Sequence, residues 1–447
     1  MSNSHQDSPH ALTQDGLRRH IPALDGIRGL AILLVLFHHG SNMAPATAVD
    51  TFSLWTLHFG ARGVDLFFVL SGFLITGIIA DTRGRSGFFT SFYARRILRI
   101  FPLYYALVFL SFYIIPNLGS AIAAMPGIGQ SSADMVQAKL DRFGSLSDHE
   151  VYFWLFFSNF VFADVNQFSH GILSVSWSLA IEEQFYLVWP FLFFWLDMKR
   201  MKYVCVFLLI ASPIFRISLL IYGYDPFFGG EIGRVDLNVL TFGRLEGLAL
   251  GALLAIFLRG GEGTYEPERR LQTLVKPARI VAVIGILLAF LADGPHHWAH
   301  DSAEWGKLTM LPAWFGYTAV AIALAGVVVL AISAKPGTFW YAFWSSKILC
   351  SFGKYSYAIY LLHLPLRAVI RDVIYGPNFN GERFGTAYFT FPTLWGSELP
   401  GQILFFVLMI PASWLAGWVS WNILEIHVLK LKKYFPYGRE TTAKPQG

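Results

Sequence analysis

The chain alternates long apolar runs with short polar connections. Runs near 24–40, 60–80, 98–116, 177–196, 203–222, 241–258, 279–292, 312–333, 348–370 and 401–424 approach the roughly 20 residues a helix needs to cross a hydrocarbon layer about 30 Å thick. A lipid-exposed segment must satisfy its own backbone groups, and no alternating barrel pattern is visible, so these runs are predicted to be helices. The fold class that follows is all-α: a polytopic membrane protein, a bundle of about ten transmembrane helices. Val151–Ala163 is also strongly apolar, but at about 13 residues it is short for a span. A full crossing there would also put the basic turn at 197–202 on the wrong side. It is predicted to be an additional short interfacial or re-entrant segment. Gly247-x-x-x-Gly251 is a spacing that lets helices approach closely.

Charge in the connections sets the expected sides. Residues 81–99 carry Arg83, Arg85, Arg95, Arg96 and Arg99, and 197–202 carry Lys199, Arg200 and Lys202; such clusters stay in the cytoplasm. The 259–279 connection and the Lys430, Lys432 and Lys433 tail are basic as well. Both termini are therefore expected to be cytoplasmic, in a cell inner membrane, with the loops near 41–59, 117–150, 223–240, 293–311 and 371–400 outside. The expected division is a cytoplasmic tail over 1–22, a transmembrane domain over 23–425 and a second cytoplasmic tail over 426–447. Arg18 and Arg19 before the first run and Ala44-Pro45-Ala46 after it mimic a secretory leader, but Asp25, Arg28 and two histidines interrupt that pattern.

Composition agrees with lipid as the main solvent: of 447 residues, 55% are hydrophobic, 17% aromatic and only 14% charged. The formal net charge of +5 is accounted for by those connections, so the expected partner is membrane lipid and not nucleic acid. Cys205 and Cys350 both fall in or beside apolar runs, which leaves neither a disulfide framework nor a cysteine metal site. His296, His297 and His300 share one loop without carboxylates at a metal-site spacing, so no metal is expected. Oligomeric state is not legible.

Ionisable residues inside spans are costly and point to function by default. In the first run, Arg28 and His39 are eleven residues apart, almost three turns, which places them on one helix face about 16 Å apart along the axis. His38 points elsewhere. The second run places Asp65 near the outer side, with Ser71 and Gly72 deeper; for these two, helix packing is the stronger reading. The fourth carries Trp177, Glu182 and Glu183. These adjacent glutamates are expected near the depth of His39, diverging by about 100°, so that one reaches the histidine while the other pairs elsewhere. Arg95, Arg96 and Arg99 open the third run; alone they read as anchors, yet Arg96 and Arg99 share a face and forked guanidiniums suit phosphate. Arg244 and Glu246 are expected to compensate each other, and His363 to serve as a structural hydrogen-bonding residue.

A basic cytoplasmic entrance, an arginine partway along and a histidine with carboxylates outside form a vectorial arrangement. A coenzyme A thioester, with its phosphate-rich head and thin arm, fits that shape. A histidine can accept a hydroxyl proton at physiological pH while a carboxylate fixes its tautomer; transient acylation of His39 is a second route.

These motifs together resemble the acyltransferase-3 family of membrane-bound O-acyltransferases: Leu24–Arg28 with His39, Gly63–Ile75, Tyr93–Pro102 with its Arg-x-x-Arg, Trp177–Pro190 and Ser356–His363. The resemblance implies a ten-helix bundle that passes an acyl group, usually acetyl from acetyl-CoA, to an extracytoplasmic carbohydrate hydroxyl. It further implies that Arg28 and His39 are the catalytic pair and that Arg96 and Arg99 bind the donor. Family members with an appended hydrolase-like domain differ from this chain, which ends soon after the tenth run. Lipopolysaccharide O-antigen, exopolysaccharide, a signalling oligosaccharide and a small glycoside all remain open as acceptors, and acetyl is not separated from succinyl or another short acyl group. The alternative from another class is a transporter or flippase of lipid-linked sugars or acids. Inverted repeats or paired broken helices would mark it, and neither is evident in the sequence.

Overall fold

The structure, a computed structural model, describes residues 21–41, 43, 45–123, 125, 136–137, 140, 147–165, 171–223, 227, 229, 234–260, 267–293, 316–375 and 393–438. Within them each of the ten expected apolar runs is helical over most of its described length, as the all-α reading requires. Most of the expected N-terminal tail and large parts of the outer loops, including His296, His297 and His300, lie outside the described residues.

Among the described residues, six helical stretches are long and apolar enough to cross a membrane: Pro22–Gly40, Ala48–Thr82, Phe88–Ile122, Met198–Tyr222, Pro267–Leu291 and Leu399–Tyr434. The remaining expected runs are helices of another kind. Leu245–Arg259 has 15 residues and Tyr317–Ile332 has 16, short of the roughly 20 of a straight span. Ser176–Trp195 carries two glutamates and a glutamine, and Lys347–Tyr375 carries several charges. These helices are polar or short because protein surrounds much of their surface. Leu245–Arg259 is buried along most of its length, whereas the Met198–Tyr222 helix exposes Tyr203, Phe207, Ile210, Ile214 and Ile221. Apolar side chains turned outward in this way suit lipid, not water.

Two close helix pairs organise the centre. Arg62–Thr82 packs along Leu245–Arg259 at Gly72, Gly247 and Gly251, where a Cβ would collide with the Leu248 carbonyl, the Phe68 side chain and the Val69 carbonyl. The expected glycine spacing thus lies at a backbone contact. The first helix, Pro22–Gly40, packs along Lys347–Tyr375, and a Cβ on Gly29 or Gly353 would enter the Leu349 or Asp25 carbonyl. This second pairing brings His39 to His363. Gly353→Ala is expected to force the pair apart and cost about 1–3 kcal/mol of stability, read as a lower thermal midpoint of the detergent-solubilised protein. An unchanged midpoint would mean that the helices yield freely.

The short apolar segment is broken into two helices. Helices Glu150–Trp154 and Ser158–Asp164 meet at Phe156, which holds a left-handed φ of 58°, unusual for a bulky residue. The break frees carbonyl groups, and polar side chains of neighbouring helices take them up. Tyr104 donates to the Phe153 carbonyl at 2.8 Å, Tyr105 to Trp154 at 2.9 Å and Gln184 to Phe156 at 2.9 Å. A backbone break inside protein is tolerated when its polar groups find such partners. The basic turn behind the Ser176–Trp195 helix is fixed by Asp197, which caps the next helix through the Arg200 N–H at 2.7 Å. That backbone hydrogen bond holds its carboxyl below the usual range.

Candidate active site

His39 closes the C-terminal end of the first helix, and its Nδ1 lies 2.8 Å from Nε2 of His363. The other nitrogen of His363 faces the carbonyl oxygens of Tyr360 at 2.7 Å and Ile359 at 3.1 Å. Carbonyl oxygens only accept, so His363 Nδ1 carries a proton. In the neutral ring its Nε2 then accepts from His39 Nδ1–H, and His39 Nε2 is left with a bare lone pair. The carbonyl contacts at the far nitrogen of His363 thus select the tautomer of both rings. The surroundings are His38, whose ring centre is 5.0 Å from that of His39, His58 beyond it at 5.7 Å from His38, and the Arg367 charge. Tyr360 reaches the same region, sharing a 2.6 Å hydrogen bond with Ser178.

The carboxylates sit elsewhere, which corrects the expectation that one of them pairs with His39. Glu182 accepts from Ser71 at 2.8 Å and Tyr186 at 3.1 Å, and its charged neighbours are Arg28 and Arg96. Glu183 keeps Oε1 buried without a hydrogen-bond partner, with Arg96 and Glu182 as its charged neighbours. No hydrogen bond or ion pair joins either glutamate to His39 among the described residues. The reason is axial position: the helix begins at Ser176, so 182 and 183 lie about 10 Å further along it. Ser178, not a glutamate, reaches the histidine region, through Tyr360, whose ring centre is 5.9 Å from that of His363.

Arg28 makes a 3.5 Å pair with Asp25, keeps 38% of its side chain accessible and also faces Glu182. The three arginines of the third run differ from one another. Arg95 donates to the Phe435 carbonyl at 2.8 Å. Arg99 pairs with Glu425 at 3.3 Å, beside the Tyr357 and Trp421 rings. Arg96 has neither a hydrogen bond nor an ion pair among the described residues. Glu425 lies on a π-helical turn, Trp421–Glu425, a local widening common at functional sites.

A second buried polar cluster joins Asp65, Arg244, Glu246 and Arg216. Arg244 and Glu246 do not compensate each other as expected: Arg244 pairs with Asp65 at 2.8 Å, and Glu246 with Arg216 at 2.5 Å. Their side chains leave the helix start in different directions. Arg62 adds a 3.4 Å contact to Asp65, and the Tyr317 ring lies under the Arg62, Arg216 and Arg244 guanidiniums. Trp177 is 5.7 Å from Arg244 and edge-on to Phe68. Fully buried Arg216 escaped the sequence reading, although an arginine within an apolar run was its signal. Tyr186 and Tyr360 carried none, because tyrosine is frequent in spans.

The acyltransferase domain family matches residues 21–418 of this chain. The chain is 27% identical to the peptidoglycan O-acetyltransferase OatA of Listeria monocytogenes over 435 residues, 92% of this chain and 56% of that protein. It is 28% identical to the O-acetyltransferase OatA of Staphylococcus aureus over 359 residues, 78% of this chain and 51% of that protein. The chain thus spans about half the length of the curated relatives it matches. No solved structure matches it. With the family match running from the start of the first helix nearly to the end of the last apolar run, the chain belongs to the acyltransferase-3 family.

Proposed function

We propose that the protein is a membrane O-acetyltransferase that moves an acetyl group from cytoplasmic acetyl-CoA to a hydroxyl of a carbohydrate in the cell envelope. The observation that carries this reading is the His39–His363 hydrogen bond, which leaves His39 Nε2 free to take a proton. The name of the Listeria relative supplies peptidoglycan as the first acceptor to test. Positive-inside charge supports placing both termini and the arginine end in the cytoplasm, with the His39 end outside.

In this mechanism the acceptor oxygen attacks the thioester carbonyl while its proton passes to His39 Nε2. The carbon–sulfur bond of the tetrahedral intermediate then breaks, and the imidazolium returns the proton to the departing thiolate. His363 is a positioning residue that holds the tautomer. Arg96 and Arg99 take the donor's phosphates. Glu182 and Glu183 balance the Arg28 and Arg96 charges along the donor's route. The Asp65–Arg244 cluster and Trp177 flank the acceptor.

Arg96→Ala combined with Arg99→Ala is expected to weaken coenzyme A binding to the purified protein at least tenfold, roughly the worth of one charge-assisted hydrogen bond. Unchanged affinity would return these arginines to membrane anchoring.

A further inference from the structure

The described C-terminal segment does not trail away from the bundle. Beyond the π-helical turn the chain continues through Ile426–Leu429 and a 3₁₀ stretch, Lys430–Tyr434, and residues 435–438 fold back along the start of the Phe88–Phe109 helix. Three hydrogen bonds fasten this strap: Arg95 to the Phe435 carbonyl at 2.8 Å, Ser91 to the Pro436 carbonyl at 2.8 Å, and the Gly438 N–H to the Ser86 carbonyl at 3.1 Å. Tyr437 adds its ring face to the Arg95 guanidinium at 5.1 Å. Arg95 is thereby committed to the strap, just as Arg99 is committed to Glu425.

Of the three lysines in this segment, Lys430 and Lys433 are exposed while Lys432 is half-buried. Lys432 lies within the fields of Arg95, Arg96 and Arg99. Of these four cations only Arg99 has a carboxylate ion pair among the described residues, to Glu425, while Glu182 and Glu183 face Arg96 without pairing with it. Lys432 and Arg96 have no hydrogen bond or ion pair among the described residues. Like charges held together in a partly dehydrated place call for a counter-anion, and the two uncommitted groups are a point-charge ammonium and a forked guanidinium.

We propose that Lys432 is a donor-binding residue: with Arg96 it grips the phosphates of the donor head, and the 435–438 strap, tied down by Arg95, holds it in place. This rests on the acetyl-CoA reading above and alters its division of labour. Arg96 and Lys432 contact the phosphates directly, while Arg95 and Arg99 position the elements around them.

The test is coenzyme A binding by calorimetry on the full-length protein in nanodiscs, one set zwitterionic and one containing phosphatidylglycerol. Lys432→Gln is expected to weaken affinity about tenfold equally in both lipids, Lys432→Arg to retain it, and Lys430→Gln to leave it unchanged. Inorganic phosphate is expected to compete weakly. If Lys432→Gln binds coenzyme A like wild type while Arg96→Ala does not, the inference falls and the functional reading stands. If wild type itself fails to bind coenzyme A, the functional reading falls as well. A Lys432→Gln effect confined to the phosphatidylglycerol discs would assign the lysine to a lipid headgroup and overturn the proposal.

Discussion

His39→Ala is expected to abolish acetylation of the cell-envelope glycan while leaving the amount of membrane-inserted protein unchanged. The side chain sits at the last turn of the first helix and is not part of the glycine contacts that hold that helix to its neighbour, so its loss should not unseat the bundle. What disappears is the proton acceptor. General base catalysis is worth about 10²–10⁴-fold, so acetylation read by mass spectrometry of released glycan should fall by at least about that lower factor. Normal acetylation in the mutant would remove His39 from the chemistry, whereas absent protein would make it a folding residue.

His363→Ala is expected to lower kcat by on the order of 10²-fold with little change in KM for the donor. Without an acceptor at its Nδ1 side, His39 is free to adopt the other tautomer and to swing out of register. His363→Gln is expected to recover part of that loss, because an amide oxygen near the former Nε2 accepts from His39 Nδ1–H. A merely space-filling role would predict the reverse: a hydrophobic residue of similar volume would then rescue as well as glutamine.

The sequence made the helical bundle legible because lipid imposes a strict rule: a spanning segment is apolar and satisfies its own backbone. The rule weakens where protein replaces lipid. Ser176–Trp195 and Lys347–Tyr375 were recognisable as helices, yet their polar faces point at neighbours that the one-dimensional pattern does not name. Arg28, His39 and the Arg-x-x-Arg pattern stood out as polar groups in apolar surroundings. Their partners did not. Glu182 was expected at the histidine because its helix enters from the same side, but two turns of rise carry it to the arginines. His363, read as structural, is the residue that meets His39, and nothing local in its sequence separates that role from packing. The mismatch of Arg244 with Glu246 has the same origin, since the pairs Arg244–Asp65 and Arg216–Glu246 join residues far apart in sequence. Lys432 looked like one more positive-inside anchor, and only the returning strap sets it beside Arg96.

Nitrogen-15 NMR of histidine-labelled protein in lipid, with His39→Ala used to assign the signal, measures the protonation of each ring nitrogen directly. At neutral pH the His39 signal is expected to report a protonated Nδ1 and an unprotonated Nε2, a pattern lost in His363→Ala. A proton on Nε2 in the wild-type protein, with Nδ1 bare, would leave His39 unable to accept from a substrate hydroxyl and would contradict the mechanism.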